Sequence, residues 1–413
     1  MKAILISDIH FGEYARTEEL AVPGFSIQDD NSGAEPLLDG LISIINEEAV
    51  KYIFVAGDLT SIASPLEFYF FGKMIETVSE KTSIPIDRII CITGNHDNDW
   101  NIHNISNSII TERGESLDPK LKSLLIDKYH NLSANSAVIN LPSLAKDLKG
   151  VAPFSGIIDN EDFLLFALNS GWHCMPDQEY SHGRLSQEQL SWFEARLKEY
   201  ETDTRTKIVM LHHHPKKYSY PVPSEDVSLL EESSELLDLA GRYGVNLILH
   251  GHRHHPRAET IHESNWVKPI SFICAGSLAV NAKQRSNGEI PNTAHIIDFE
   301  YAPVKFLLKN YEYSASTGWK PIKNFRPEAP LDAEEWLGRV YLDSEYESAV
   351  KSCFESLTES VNILRYNDLP ECLHFVRYER LNELFRNNVP DTFLLSGSFP
   401  ADVPVITKET IKT

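Results

Sequence analysis

The 413-residue chain has no run of about 18 apolar residues, so no helical membrane span is expected. Its opening, "MKAILISDIH", turns polar after seven positions and lacks the shape of a secretory signal peptide. Cysteine is scarce. The five residues, Cys91, Cys174, Cys274, Cys353 and Cys372, are scattered and form no CxxC pair. Reduced thiols in a cytoplasmic protein are therefore expected, with no structural zinc site. Positive charge is also short: 38 Lys plus Arg stand against 60 Asp plus Glu, a net charge of −22. That excess repels phosphate backbones and argues against a broad nucleic-acid-binding face. It leaves room for a local positive site made by metal ions. Internal repeats and low-complexity tracts are absent as well. What is present is 42% hydrophobic residues, enough for a large core in a soluble globular chain of two or three domains.

Apolar, β-rich runs recur as "AILIS", "YIFVAG", "IICIT", "FLLFALN", "KIVMLH" and "NLILHG". Helical patterns separate several of them. "EPLLDGLISIINEEAV" has apolar residues at helical spacing. "SPLEFYFFGKMIETVSE" begins with Ser64 as N-cap, Pro65 at the first helical position and Glu67 three residues after the cap. "SQEQLSWFEARLKEY" repeats that logic with Ser186 and Gln189. Strands alternating with helices imply βαβ units and helix-covered sheets. After residue 260 the pattern becomes strand-rich. "TGWKPIKNFRPEAP" then reads as a linker, and later stretches read as helical. Residues 98–150 are long and polar for a connection and are expected to be an insertion near the site.

The strand ends carry an unusual set of side chains. "LISDIHFG" places Asp8 and His10 after the first strand, and "VAGDLT" places Asp58 after the second. "CITGNHDNDW" places Asn95, His96 and Asp97 after the third. "MLHHHP" and "LHGHRHHP" place His212, His213, His214, His250, His252, His254 and His255 after two later strands. Taken singly, each motif is ordinary: Asp and His are common turn residues, Asn-His-Asp can cap a helix, and a His run can decorate a surface. Five such sets at strand ends are a different matter, because ligands of open α/β sheets bind beyond those ends. Mixed Asp, Asn and His donors suit transition metals such as Mn, Fe or Zn better than Ca or Mg.

Asp8-x-His10, Gly57-Asp58, Gly94-Asn95-His96-Asp97, the His cluster at 212–214 and Gly251-His252-Arg253-His254 together resemble the calcineurin-like metallophosphoesterase superfamily. The resemblance implies a four-layer αββα sandwich: two mixed β-sheets flanked by helices, with two metal ions at the strand ends. It implies that Asp8, His10, Asp58 and His254 hold one ion. Asp58 would bridge to a second, completed by Asn95, His213 and His252. A carboxylate can bridge two cations through its two oxygens, whereas an imidazole cannot. The family ligand in the fourth block usually stands two residues before the proline, which selects His213, with His212 as the alternative. His250 and His255 are expected in supporting or structural roles. The implied reaction is hydrolysis of a phosphodiester or phosphomonoester by a metal-bridging hydroxide, with His96 donating a proton to the leaving group. Asp97 either orients His96 or caps the following turn, and capping is the preferred reading.

Within the superfamily, "GDLT", "HHHP" and "HGRLSQEQLSWFEARL" are most similar to bacterial cyclic-nucleotide phosphodiesterase-like proteins. The implied partner is a small phosphate ester. A metal-dependent nuclease would use the same centre but needs a basic path. A non-enzymatic scaffold would have lost ligands, and none is missing. The expected organisation is a catalytic domain over 1–315, a linker over 316–330, and a mostly helical extension over 331–413. Tyr346, Val350, Phe354, Leu357, Val361 and Leu364 form one apolar stripe in that extension. It must bury on the domain's flank, on a second copy as a homo-oligomer contact, or over the site as a lid.

Overall fold

The structure, a computed structural model, describes residues 1–12, 36–100, 131–132, 154–172, 182–218, 228–285, 289–323, 329–356, 366–390, 393–396 and 405–408. Nearly all of the 98–150 insertion lies outside the described residues.

Two sheets form the centre. The first has seven strands: β1 (Lys2–Ile6), β2 (Tyr52–Val55), β3 (Ile89–Cys91), β10 (Asn292–Tyr301), β11 (Val304–Ser314), β12 (Gly318–Pro321) and β13 (Glu334–Leu337). Their order is β12-β11-β10-β1-β2-β3, with β13 also paired to β11. The second has six: β4 (Gly156–Asp159), β5 (Phe163–Ala167), β6 (Thr206–Met210), β7 (Leu247–His250), β8 (Arg257–Ile261) and β9 (Ile270–Cys274). Its order is β4-β5-β6-β7-β9-β8. Strands β1, β2 and β3 are mutually parallel, as are β5, β6, β7 and β9; the outer pairings are antiparallel. Parallel strands put their carboxyl ends on one edge, which is why residues far apart in sequence can converge there.

Alternation along the strands builds the layers. Ala3, Leu5, Phe54 and Ile90 face Phe163, Leu165, Met210 and Leu249 in the core between the sheets. Ile4, Ile6, Ile53 and Val55 point the other way, onto α1 (Leu37–Glu47) and α2 (Pro65–Thr82). Phe166, Val209 and Ile248 of the second sheet pack outward on α3 (Gln187–Glu199) and α4 (Ser233–Arg242). The expected αββα sandwich is therefore present. The caps read from sequence are also present. Ser64 Oγ accepts from the Glu67 amide at 3.3 Å, and Glu67 accepts from the Ser64 amide at 3.2 Å. Ser186 accepts from the Gln189 amide at 3.2 Å.

The later chain departs from the linker-and-helices outline. Part of the 316–330 stretch is β12, hydrogen-bonded to β11, and β13 returns to the same strand. The cause is the length of β11, whose 11 residues have unpaired edge groups to satisfy beyond β10. Beyond β13 come α5 (Asp343–Ser356), α6 (Glu371–His374) and α7 (Tyr378–Asn388), then a hairpin of β14 (Phe393–Ser396) and β15 (Val405–Lys408). Val350 and Phe354 of the apolar stripe bury against Leu381, Leu384 and Phe385 of α7. Leu357, Val361 and Leu364 lie outside the described residues. Arg377 donates to the Ala258 carbonyl and the Gly338 amide to Thr260 Oγ1, so the extension docks on β8. A cavity of about 380 Å³ lies at that junction, lined in part by Thr260, Trp336, Tyr346 and Phe375. No strand-end residue described below lines it.

Candidate dinuclear metal centre

Asp8 and His10 follow β1, Asp58 follows β2, and Asn95, His96 and Asp97 follow β3. His212 and His213 follow β6, and His252 and His254 follow β7. Beyond the strands the loops continue to pair. The Asp8 amide donates to the Gly57 carbonyl, the His10 amide to the Asp58 carbonyl, and the Gly251 amide to the His212 carbonyl. This pairing holds five site residues in the left-handed region: Asp8 at φ 51°, His10 at 50°, Asp58 at 51°, His252 at 89° and His254 at 59°. Such conformations are costly for non-glycine residues and gather at functional sites. Two glycines are required by close approach. A Cβ on Gly94 would lie 2.1 Å from Asp58 Oδ1, and one on Gly251 would lie 2.0 Å from Ser7 Oγ.

Asp58 is central. Its Oδ2 lies 3.3 Å from His10 Nε2 and 3.1 Å from His212 Nε2. Its Oδ1 accepts from the His96 amide at 2.9 Å. Asp8 Oδ1 lies 3.3 Å from His254 Nε2 and 3.8 Å from His10 Nε2, while Oδ2 accepts from the His252 amide at 3.1 Å. His252 Nδ1 is 3.1 Å from Asn95 Oδ1. Three groups of converging donor atoms result: Asp8, His10 and His254; Asp58, His212 and His252; and His10, Asp58 and His96. Asp58 Oδ2 thus stands between the His10 and His212 rings, while Oδ1 accepts from the His96 amide.

The fit to cations rests on buried ligand atoms that have chiefly one another for polar neighbours. Asp8 Oδ1, His10 Nδ1, His10 Nε2 and His212 Nε2 are buried with no hydrogen-bond partner. Leaving one such atom unsatisfied costs roughly 1–3 kcal/mol. Several unsatisfied atoms facing a common point, all metal-ligating types, fit divalent ions.

The electrostatics agree. Burial alone would raise the Asp8 pKa, but the imidazoles of His10 and His254 hold it well below the usual carboxylate range. Burial likewise opposes ionisation of Asp58, and His212, His96 and His10 outweigh it and lower its pKa. Burial drives His10 down to about 4, keeping it neutral and ready to ligate. His212 goes the other way. Burial disfavours its charged form, but the Asp58 carboxylate lifts it to about 9. In the metal-free protein a proton on His212 thus does part of a cation's work beside Asp58.

A ligating imidazole must be neutral, so if His212 is a ligand, metal uptake below about pH 9 expels its proton. Affinity should then rise roughly tenfold per pH unit up to about pH 9, one proton being released. Calorimetric metal titrations in buffers of different protonation enthalpy check this. Uptake with no proton release would contradict it.

Most of the strand-end residues converge. The exception is in the fourth block. His212, the alternative ligand there, aims Nε2 at Asp58 and rests Nδ1 on the Ala56 carbonyl at 2.7 Å. His213, the expected ligand, turns Nδ1 to Ser170 Oγ at 2.8 Å and belongs to none of the converging groups. Counting back from the proline does not report ring contacts: His212 Nδ1 rests on the Ala56 carbonyl and His213 Nδ1 on Ser170. His96 sits at the edge, with Nδ1 2.8 Å from the Ser61 carbonyl. Asp97 does not bond that ring. It accepts from the amides of Gly94, Leu59 and Thr60 and from the Thr60 hydroxyl, tying the loop of Asp58 to the loop of His96. Burial and nearby Asp58 push its pKa up to about 7. Ser61 and Ser170 escaped the sequence reading, since a backbone carbonyl and a lone hydroxyl leave no motif.

Residues 1–256 match the calcineurin-like phosphoesterase family, and the chain belongs to it. That family implies metal-dependent hydrolysis of phosphoric esters at a dinuclear divalent-metal centre, for which the converging side chains above supply donors. No curated protein sequence matches the chain. Among solved structures it is similar to a purple acid phosphatase from yellow lupin (Lupinus luteus) seeds, at 13% identity and TM-score 0.44, covering 83% of this chain and 54% of that one. The chain thus spans about half the length of the lupin enzyme. It is also similar to a dimetal phosphatase from Danio rerio, at 12% identity and TM-score 0.44, covering 75% of this chain and 95% of that one. A third, the phosphoesterase Yfce from E. coli, shows 13% identity and TM-score 0.29, covering 75% and 91% of the two chains.

Proposed function

We propose that the chain hydrolyses a small phosphate ester at a site in which Asp8, His10, Asp58 and His254 hold one ion. Asp58, Asn95, His212 and His252 hold the second. The observation that carries this reading is the convergence of buried imidazole nitrogens on Asp58 Oδ2. The imidazole-rich donor set favours Mn, Fe or Zn. When bound, such a pair supplies Lewis acidity toward a phosphoryl oxygen and an acidified water as nucleophile.

The chain's own residues do the rest. His96 keeps Nδ1–H on the Ser61 carbonyl, so the proton it exchanges with the leaving oxygen is carried at Nε2. The His96 amide orients Asp58, and the His252 amide orients Asp8. Asp97 holds the two loops in register. Cyclic nucleotides are the substrate class favoured by the sequence resemblance.

Turnover of a panel of cyclic nucleotides, chromogenic phosphodiesters and phosphomonoesters, with a chelator-stripped control, tests the activity. A panel with no metal-dependent turnover would sink it. The ligand choice is tested by paired variants. His212→Gln should lose one bound ion and most activity, while His213→Gln keeps both ions. The reverse pattern would return the ligand role to His213.

A further inference from the structure

A second cluster of ligating side chains lies behind the fourth and fifth blocks. His250 ends β7 and Cys274 ends β9, and the two are register partners on adjacent parallel strands. His214 follows β6, the neighbour of β7 on its other side. All three residues are buried, and each offers a ligand atom within 4.8 Å of the others. None of them is used by the phosphoesterase site proposed above.

The arrangement of the two rings favours a common point. His214 Nδ1 is engaged by Ser228 Oγ at 3.0 Å, and His250 Nε2 by the Tyr218 hydroxyl at 2.6 Å. The other nitrogen of each ring turns toward the thiol's surroundings. His214 Nε2 lies 3.8 Å from Cys274 Sγ. His250 Nδ1 lies 3.4 Å from the Gly251 carbonyl, which Cys274 Sγ also approaches, at 3.6 Å. Metal-bound imidazoles characteristically have their other ring nitrogen held by a hydrogen-bonding partner, which sets tautomer and ring orientation. A metal–sulfur bond of about 2.3 Å and a metal–nitrogen bond of about 2.0–2.1 Å at the tetrahedral angle put S and N about 3.6 Å apart. The observed separation is close to that edge. Two imidazoles and one thiolate are a donor set for zinc or another thiophilic transition ion, not for Mg or Ca.

The geometry points to a third metal site, in which His214, His250 and Cys274 bind a zinc-class ion, with the Gly251 carbonyl beside them as a fourth donor. Binding replaces the thiol proton, which leaves to solvent, so the step is a ligand exchange without electron transfer. The ion would join the ends of β6, β7 and β9 next to the loops that carry His212 and His252. The His214 and His252 ring centroids are 6.2 Å apart. Sequence spacing hides the site because its ligands come from three separate strands.

Cobalt(II) is the probe. The full chain, produced in cobalt-supplemented medium, should show a thiolate-to-Co(II) charge-transfer band in the near ultraviolet. The dinuclear centre has only oxygen and nitrogen donors, so the band reports this site alone. Zinc(II) should bleach it. Cys274→Ser should lose the band and bind one fewer ion per chain than the parent. His214→Gln should also lose it, which covers the case of a poorly folded Cys274→Ser. Asp58→Asn should keep the band. A saturated parent protein without the band, or a band that survives Cys274→Ser, would overturn the assignment and leave the cluster a hydrogen-bonded thiol. Loss of the band in Asp58→Asn would also overturn it, by tying the thiolate to the dinuclear centre. The dinuclear reading fails separately, if Asp58→Asn retains every ion and full turnover.

Discussion

Asp58→Ala should reduce hydrolysis to the level of the chelator-stripped protein and remove the paired ions. One oxygen of this carboxylate stands between His10 and His212, so both halves of the centre lose their shared anion at once. The remaining donors at the second ion, Asn95, His212 and His252, carry no negative charge. A divalent ion there would face several neutral ligands and the repulsion of its neighbour. The change also alters His212 in a measurable way. The elevated pKa of that ring depends on Asp58, whereas its burial remains. In the variant the pKa of the ring should fall, with burial then opposed only by Asp8 and the Ala56 carbonyl. Metal analysis, steady-state kinetics and an NMR titration of the imidazoles read these effects together. A variant that still holds two ions and turns over normally would show that another residue bridges them.

His96→Ala should keep the ions and lose about 10²–10⁴-fold in turnover, the range for a general acid. The backbone amide that orients Asp58 survives the substitution, so the carboxylate stays in place. The loss should shrink as the leaving group becomes more acidic, because a stable alkoxide or phenoxide needs no proton. A series of aryl phosphodiesters with graded leaving-group pKa values tests this slope. Equal losses across the series would assign His96 to transition-state positioning alone. Loss of an ion would make it a ligand, a role that its place beside His10 and Asp58 makes the sharpest rival.

Much of this was legible in the chain because the signals are local. Strand and helix periodicity, the Ser64 and Ser186 caps and the polar clusters at strand ends each occupy a few consecutive residues. The folded chain reproduces them, since a buried strand must alternate and a helix start must satisfy its free amides. The stretch 316–330 reads as a linker, yet part of it pairs as β12, for the opposite reason. "GWKP" looks like a loop, with its Gly and Pro, until the free edge of β11 is there to pair with it.

By itself the sequence determined which donor types stand at each strand end, and hence the class of chemistry available there. Only the tertiary structure decided which atoms meet. Three consecutive histidines are equivalent as letters. The Ala56 carbonyl, 156 residues away, holds His212 Nδ1 while its Nε2 faces Asp58, and Ser170, 43 residues away, holds His213 Nδ1. The same holds for Cys274, an isolated thiol in sequence that the register of β7 and β9 sets beside His250. Ring direction and carboxylate denticity depend on partners from other strands. Parallel sheets bring those partners together only after the chain has crossed over, so no window of neighbouring residues contains them.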